Sequence, residues 1–238
     1  MSLPVELHAS VRNLLLTSLP RAEYERLLPA LEPIRLPRNA VLYETGSAIR
    51  HAYFLTGGMV SLLSTTEDGK TIEVGMIGNE GIAGIPIILG MSVAPYRTTV
   101  QIPLTALRVR AGALRDAFNR GGVLQDLLLK YTHTLITQLS QSAVCNRFHT
   151  TEERLCRWLL ISRDRVRSDT LSLTQETISQ MLGTPRTGVT LTAGVLQTNG
   201  LISYSRGKIK IVDRRGLEDA ACECYGIVRR EFEHFLAA

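Results

Sequence analysis

The hydrophobic pattern along the chain changes period several times, and each change marks a different kind of element. Up to about Leu31 the apolar positions Val11, Leu14 and Leu15, then Tyr24, Leu27, Leu28 and Leu31, fall at helical intervals. From Ile34 to Val109 the pattern becomes short β-prone runs such as Ala52-Tyr-Phe-Leu55, Val60-Ser-Leu-Leu63 and Thr71-Ile-Glu-Val74. Turn signals separate them: Gly46, Gly57-Gly58, Asp68-Gly69, Gly75, Gly78, Gly81, Gly84 and Gly90. Many short strands with frequent turns predict an antiparallel jelly roll or barrel.

Helix returns after Ala111. From Val123 to Cys145 there is neither proline nor glycine, and Leu124, Leu128, Tyr131, Leu135, Leu139 and Ser142 recur every three to four residues. Asp126, Lys130, Thr134, Thr137 and Gln141 fall on the opposite side. A stripe of this length can pack on its own chain or form a two-stranded coiled coil with a second copy. The second reading makes Leu124, Leu128, Tyr131, Leu135 and Leu139 dimerisation residues. Thr151 to Ile161 predicts a further amphipathic helix, with Leu155, Trp158 and Leu159 on one face, followed by a polar loop from Ser162 to Thr170.

The stretch from Leu173 to Val212 carries the most specific pattern. Ile178, Met181 and Leu182 line one face of a short helix that Ser172 or Thr174 can cap, and Gly183 permits the positive φ that closes it. Thr184 and Pro185 then read as the N-cap and first residue of a second helix, with Val189, Ala193 and Leu196 as its buried stripe. Asn199-Gly200 ends it. Two short helices across a glycine turn are the helix-turn-helix plan, whose second helix enters the DNA major groove. The runs Leu201–Tyr204 and Ile209–Val212 flank Ser205-Arg-Gly-Lys208, a hairpin with Arg206 and Lys208 at its basic tip. This is a winged helix. An ordinary helical hairpin followed by a surface β-hairpin is the plain alternative.

Charge agrees with the motif. The chain of 238 residues carries a formal net charge of +5, but its distribution matters more than its sum. Thr151 to Arg215 holds eleven Lys/Arg against six Asp/Glu, whereas Gly216 to Ala238 holds two against five. The excess is densest where the winged helix lies, as binding to phosphates requires. No apolar run reaches the length of a membrane span and no secretory signal pattern opens the chain, so a cytoplasmic protein is expected. Cys145, Cys156, Cys222 and Cys224 form no CxxC pair and predict reduced thiols without a metal. His8, His51, His133, His149 and His234 are scattered, and no P-loop, Gly-x-Ser-x-Gly or dinucleotide-binding fingerprint occurs. These absences argue against an enzyme.

The order of β-domain, long helix and winged helix resembles the Crp/Fnr family of bacterial transcription regulators, from about Leu27 to Val212. The most similar part runs from Leu173 through Ile209, and Tyr53-Phe-Leu-Thr-Gly-Gly-Met-Val60 looks like the family's early strand–turn–strand. The resemblance implies an α+β fold: an N-terminal cupin-like jelly-roll β-barrel, a long dimerisation helix and a C-terminal winged helix-turn-helix. The expected boundaries are residues 1–120 for a cyclic-nucleotide-binding-like sensing domain, 121–148 for the dimerisation helix, and 149–238 for the DNA-binding domain.

It also implies site residues. The family's phosphate-binding cassette is a Gly-Glu pair followed, after a turn, by Arg-Ser or Arg-Thr. Here Gly84 is followed by Ile85 and Pro86, and Arg97-Thr98 comes after the turn. Gly84, Ile85, Arg97 and Thr98 are therefore the effector-pocket candidates. Ile85 offers no acceptor for a ribose hydroxyl where the family carries glutamate, so the effector is unknown and a cyclic nucleotide is disfavoured. In the second helix of the motif, Arg186 matches the family's base-reading arginine, whose forked donors suit guanine O6 and N7. Thr187 replaces the following glutamate, and Leu191 stands where a second basic residue is frequent. The DNA-binding candidates are Thr184, Arg186, Thr187, Thr190, Arg206 and Lys208. The implied partners are double-stranded DNA, a second copy in a homodimer and an unidentified small-molecule effector, with RNA polymerase as a further candidate. A cyclic-nucleotide-dependent regulator, and a ligand-binding barrel without DNA function, are the alternatives.

Overall fold

The computed structural model describes residues 12–237, so the part of the first helix expected around Val11 and the histidine His8 lie outside the described residues. The chain divides into two compact units. The first takes the chain through Leu62, Met76–Leu135 and the residues from Phe235 onward; the second takes Leu63–Gly75 and Ile136–His234.

In the first unit, α1 (Leu14–Thr17) and α2 (Arg21–Leu27) precede a six-stranded antiparallel sheet, of which the last residues of β3 and most of β4 belong to the second unit. Its strands are β1 (Glu32–Leu36), β2 (Val41–Tyr43), β3 (His51–Thr65), β4 (Thr71–Ile77), β5 (Ile82–Ala83) and β6 (Arg97–Arg110). The order is β1-β6-β3-β4, with β2 on β6 and β5 on β3. The sheet is jelly-roll-like but not a closed barrel, and β2 and β5 are only three and two residues long. Gly57-Gly58, expected as a turn, lies inside β3. Gly58 has φ +80°, and a Cβ there would sit 2.1 Å from the Pro103 carbonyl oxygen, so the glycine permits a close passage of two strands instead of a reversal. The Asp68-Gly69 turn is where the sequence places it, between β3 and β4.

Asn13 ties several of these pieces together. Its side chain accepts from the Leu16 N–H at 3.1 Å to cap α1, and donates to the carbonyls of Leu55 and Gly81 at 2.8 Å each. It is fully buried.

After α3 (Ala111–Asn119) comes the long helix α4 (Val123–Phe148). The Glu23 carboxylate, about a hundred residues earlier, accepts from the Val123 and Leu124 N–H groups at 3.1 and 2.9 Å and so caps it. The stripe assigned to a dimer seam is where structure and expectation part. Leu124, Leu128, Tyr131 and Leu135 are buried within their own chain, and Leu139 is half-buried. Tyr131 lies against Gly81, where a Cβ would fall 2.1 Å from its hydroxyl, and its ring is 6.0 Å from that of Phe235. Leu124, Leu128, Tyr131 and Leu135 therefore keep little surface to offer a second helix. The large apolar side chains of α4 left outside are Val123 (36% exposed), Leu129 (48%), Ile136 (56%), Val144 (40%) and Phe148 (74%).

In the second unit, α5 (Thr151–Val166) runs five residues beyond Ile161. Thr150 and Glu153 form a capping box at its start. The extension looked polar in sequence because Arg165 lies in it, but that guanidinium is buried, bonded to the Gln138 amide oxygen and stacked 5.2 Å over the Phe232 ring. The Trp158 indole N–H donates to the Glu73 carboxylate at 2.7 Å, with both residues buried. Beyond it follow β7 (Thr170–Ser172), α6 (Gln175–Leu182), α7 (Arg186–Thr198), β8 (Ile202–Ser205), β9 (Lys208–Ile211), α8 (Arg214–Asp219) and α9 (Cys224–Ala237). The strand β7, read from sequence as loop, completes a three-stranded wing in the order β7-β9-β8.

Asn13→Ala should remove the cap and leave the Leu55 and Gly81 carbonyls buried without their donor. At about 1–3 kcal/mol for each buried polar group left unpaired, a urea unfolding curve should show a loss of at least about 2 kcal/mol. A loss below about 0.5 kcal/mol, the range of neutral surface changes, would remove Asn13 from this role.

Candidate DNA interface and effector pocket

The local folding of the helix-turn-helix follows its sequence closely. Thr174 caps α6 by accepting from the Thr177 N–H at 3.1 Å. Gly183 takes φ +57° and closes it, and Ile178, Met181 and Leu182 are buried. Helix α7 begins one residue later than expected: Pro185 is its N-cap, extended at ψ 144°, and Arg186 its first residue. Thr184, displaced from the capping position, bonds instead within the turn. Its carbonyl accepts from the Ser179 hydroxyl at 2.7 Å and its own hydroxyl donates to the Leu182 carbonyl. Val189, Ala193 and Leu196 are buried, so the opposite face of α7 is turned outward.

That outward face carries Arg186, Thr187 and Thr190, all exposed, together with Leu191 at 72% exposure. The Thr190 hydroxyl lies 3.0 Å from both the Arg186 carbonyl and the Gln175 amide oxygen. The wing turn is a two-residue loop between Ser205 and Lys208, which are paired across β8 and β9. Arg206 at φ +49° and Gly207 at φ +73° give it the doubly left-handed backbone whose twist suits a tight hairpin. The exposed Arg206 and Lys208 side chains project from this tip. Arg186, Gln175, Tyr204, Ser205, Arg206 and Gly207 line one open concavity of about 350 Å³. The structure thus brings the base-reading candidate and a wing arginine to a common groove. Gln175 and Tyr204 were not singled out from sequence; only their places at a helix start and beside a basic tip pointed to them. The Tyr204 hydroxyl donates to the Leu173 carbonyl at 3.2 Å and its N–H to the Gln197 amide oxygen at 2.8 Å, so the wing is braced against α7 and the segment that leads into α6. Burial raises the Tyr204 phenol above its ordinary pKa, opposed by the Arg186 charge.

The effector candidates do not converge in the same way. Gly84, at φ +117°, opens a single 3-10 turn at Ile85–Ile87, and Ile85 is buried. Gly84, Ile85 and Thr98 line an internal pocket with Tyr43, Leu62 and Leu135. Its open space is about 10 Å³, the room of roughly one water molecule, whereas ligand pockets run to about 300 Å³ or more. Thr98 is fully buried, and its hydroxyl has no hydrogen-bond partner among the described residues. Arg97, the expected phosphate ligand, lies outside the pocket and pairs with Glu44 at 3.1 Å on the surface. Its alternation in β6 explains this, since neighbours on a strand point to opposite faces.

Comparison with known proteins covers both halves. Residues 153–220 match the Crp-like helix-turn-helix domain, and residues 33–120 match the cyclic nucleotide-binding domain. The global nitrogen regulator of Nostoc sp. is 24% identical over 184 residues, spanning 73% of this chain and 82% of that one. Among solved structures, FixK2 from Bradyrhizobium japonicum is similar with a TM-score of 0.69 at 15% identity, covering 81% of this chain and 98% of its own. A Crp-family transcriptional regulator from Thermus thermophilus is similar with a TM-score of 0.66 at 18% identity, covering 79% and 96%.

A pocket of this size, with Ile85 in its lining and Arg97 outside it, should not take a cyclic nucleotide. A ligand of micromolar affinity at about 100 μM would stabilise its receptor by about 2.7 kcal/mol, an easily seen thermal shift. With cyclic AMP or cyclic GMP at that concentration no shift is expected. A shift of several degrees that Arg97→Ala abolishes would restore nucleotide sensing.

Proposed function

The chain belongs to the Crp/Fnr family of transcription regulators, and from that premise we propose that it reads its operator through Arg186 while the wing holds the flanking phosphates. The protein is a DNA-binding regulator with a cyclic-nucleotide-binding-like sensing domain. The observation that carries the finer reading is the shared groove of Arg186 and Arg206, both exposed and charged beside the exposed face of α7. In this reading Arg186 donates its two parallel N–H groups to a guanine edge. Thr187 and Thr190 present hydroxyls on the same face, and Thr184 sits at the helix entry, where phosphate oxygens run. Arg206 and Lys208 supply sequence-independent attraction. The sensing domain extends to about residue 120, α4 follows, and the DNA-binding domain starts near residue 149.

We further propose that the regulator acts as a homodimer, joined along α4 by Leu129, Ile136 and Val144 in place of the stripe expected from sequence. Leu129 and Ile136 are seven residues apart, one coiled-coil repeat, and Val144 lies eight beyond Ile136 on the same side. Two copies would present two α7 helices to paired half-sites. The pocket around Thr98 is then an effector site only for something small and apolar, or one that opens on binding.

Two experiments follow. Arg186→Ala should weaken operator binding by about 1–3 kcal/mol and flatten discrimination at one base step, whereas Lys208→Ala should weaken all duplexes alike and reduce the salt slope by about one. Equal losses for Arg186→Ala on operator and scrambled DNA would end its base-reading role. For assembly, Ile136→Glu should yield a folded monomer in light scattering, because the position is exposed in a single chain and only a second copy would bury the charge. A stable Ile136→Glu dimer would put the seam elsewhere.

A further inference from the structure

The three cysteines and one histidine that sequence spacing set apart meet in the second unit. Cys145 lies on the last turn of α4, His149 in the link to α5, Cys222 after α8, and Cys224 opens α9. One ligand atom from each falls within 4.8 Å of all the others. Cys145 Sγ and Cys222 Sγ are 3.5 Å apart, and Cys224 Sγ is 3.6 Å from His149 Nδ1. A tetrahedral zinc ion, with Zn–S near 2.3 Å and Zn–N near 2.0 Å, holds its ligand atoms about 3.5–3.8 Å apart. All three thiols are buried, which excludes a chance surface gathering.

Two further features belong with a metal and not with a packed thiol cluster. The second nitrogen of His149, Nε2, lies 3.3 Å from the Glu223 carboxylate. A carboxylate behind a histidine fixes the ring and its tautomer in the manner that metal sites use, leaving Nδ1 as a free donor pair. The other is Arg157, only 6% exposed, with a buried Nε that has no hydrogen-bond partner among the described residues. Its charge reaches Cys145 and Cys224. A buried guanidinium is costly without a nearby anion. Three thiolates around one divalent cation carry a net charge of minus one, which supplies it.

We propose that Cys145, His149, Cys222 and Cys224 bind one zinc ion in a closed structural site that fastens the end of α4 to the segment following the wing. All four positions are filled by protein, so the ion has no open face for hydrolytic chemistry. An iron–sulfur cluster needs its sulfur ligands spread around several metal ions and inorganic sulfides, and a 4.8 Å spread leaves no room for one. Binding releases the thiol protons to solvent and changes no oxidation state.

The test uses the full chain, purified under reducing conditions. Elemental analysis should find one zinc per chain, and removal by a chelator should lower the melting temperature, which added zinc restores. Cobalt(II) titrated into the metal-free protein should give the visible bands of a tetrahedral thiolate site, saturating at one per chain and bleached by zinc. Cys222→Ser and Cys224→Ser should each weaken zinc binding at least a hundredfold, and Glu223→Gln, which keeps all four ligands, about tenfold. If the cysteine variants do not fold, the wild-type cobalt titration and Glu223→Gln still decide. A folded, fully reduced wild-type chain that takes up neither zinc nor cobalt would overturn the proposal. So would iron with acid-labile sulfide, or a Cys145–Cys222 disulfide in the metal-free native protein.

Discussion

A helix has a limited perimeter, and in α4 most of the apolar part of it is already occupied by the chain's own sheet domain. Leu124, Leu128, Tyr131 and Leu135 are as buried as any core residue, and the Tyr131 ring fits only because position 81 has no side chain. Each of these side chains contributes about 1.5–3 kcal/mol by leaving water, so the face is not free to be exchanged for contacts with another molecule. Whatever else α4 does must use a different side of the same cylinder. That constraint is why the proposed dimer contact lies at Leu129, Ile136 and Val144, about one residue around the helix from Leu135.

The same logic fixes what a signal in the sensing domain has to accomplish. A ligand shifts an equilibrium only by its differential affinity for two arrangements. Leu135 lines the small pocket beside Thr98, and Ile136, the next residue, lies on the outward face of the helix. A ligand that enlarges this pocket must displace Leu135, and a rotation of the helix that does so also turns Ile136. Under the proposed seam, effector binding would act on dimer geometry through α4 itself, with no longer chain of contacts required.

The sequence was most legible where backbone chemistry is local. Gly183, Thr174 and the Arg206-Gly207 turn are read from residue type alone, because left-handed backbone and capping depend on a few neighbours. Both helices of the motif and the wing were legible for this reason, with Pro185 misplaced by one position. Strand ends were harder: Gly57-Gly58 looks like a turn, yet it exists so that Pro103 can pass close by, forty-five residues away. The α4 stripe shows a deeper limit. Periodicity identifies a buried face but not what buries it, and Leu124 to Leu135 read identically for a coiled coil and for a helix packed on its own domain. Arg165 misled in the opposite direction, since a charged residue signals solvent until Gln138 and Phe232 are seen around it.

The cysteines mark the furthest point beyond linear reading. Spacing rules for metal ligands assume that two ligands come from one loop, and only Cys222 and Cys224 meet that condition here. The other pair, Cys145 and His149, are four residues apart, which on a helix is one turn and one face. Sequence offers that spacing in every helix, so it carries no signal until a second pair is placed opposite it. Folding supplies the second pair by returning the chain after the wing to the end of α4. The ligand set is therefore a property of the assembled second unit and not of any segment. Such a site forms only when α4, the α4–α5 link and the start of α9 are all in place, so the binding energy of an ion there is also folding energy for the unit that contains the winged helix.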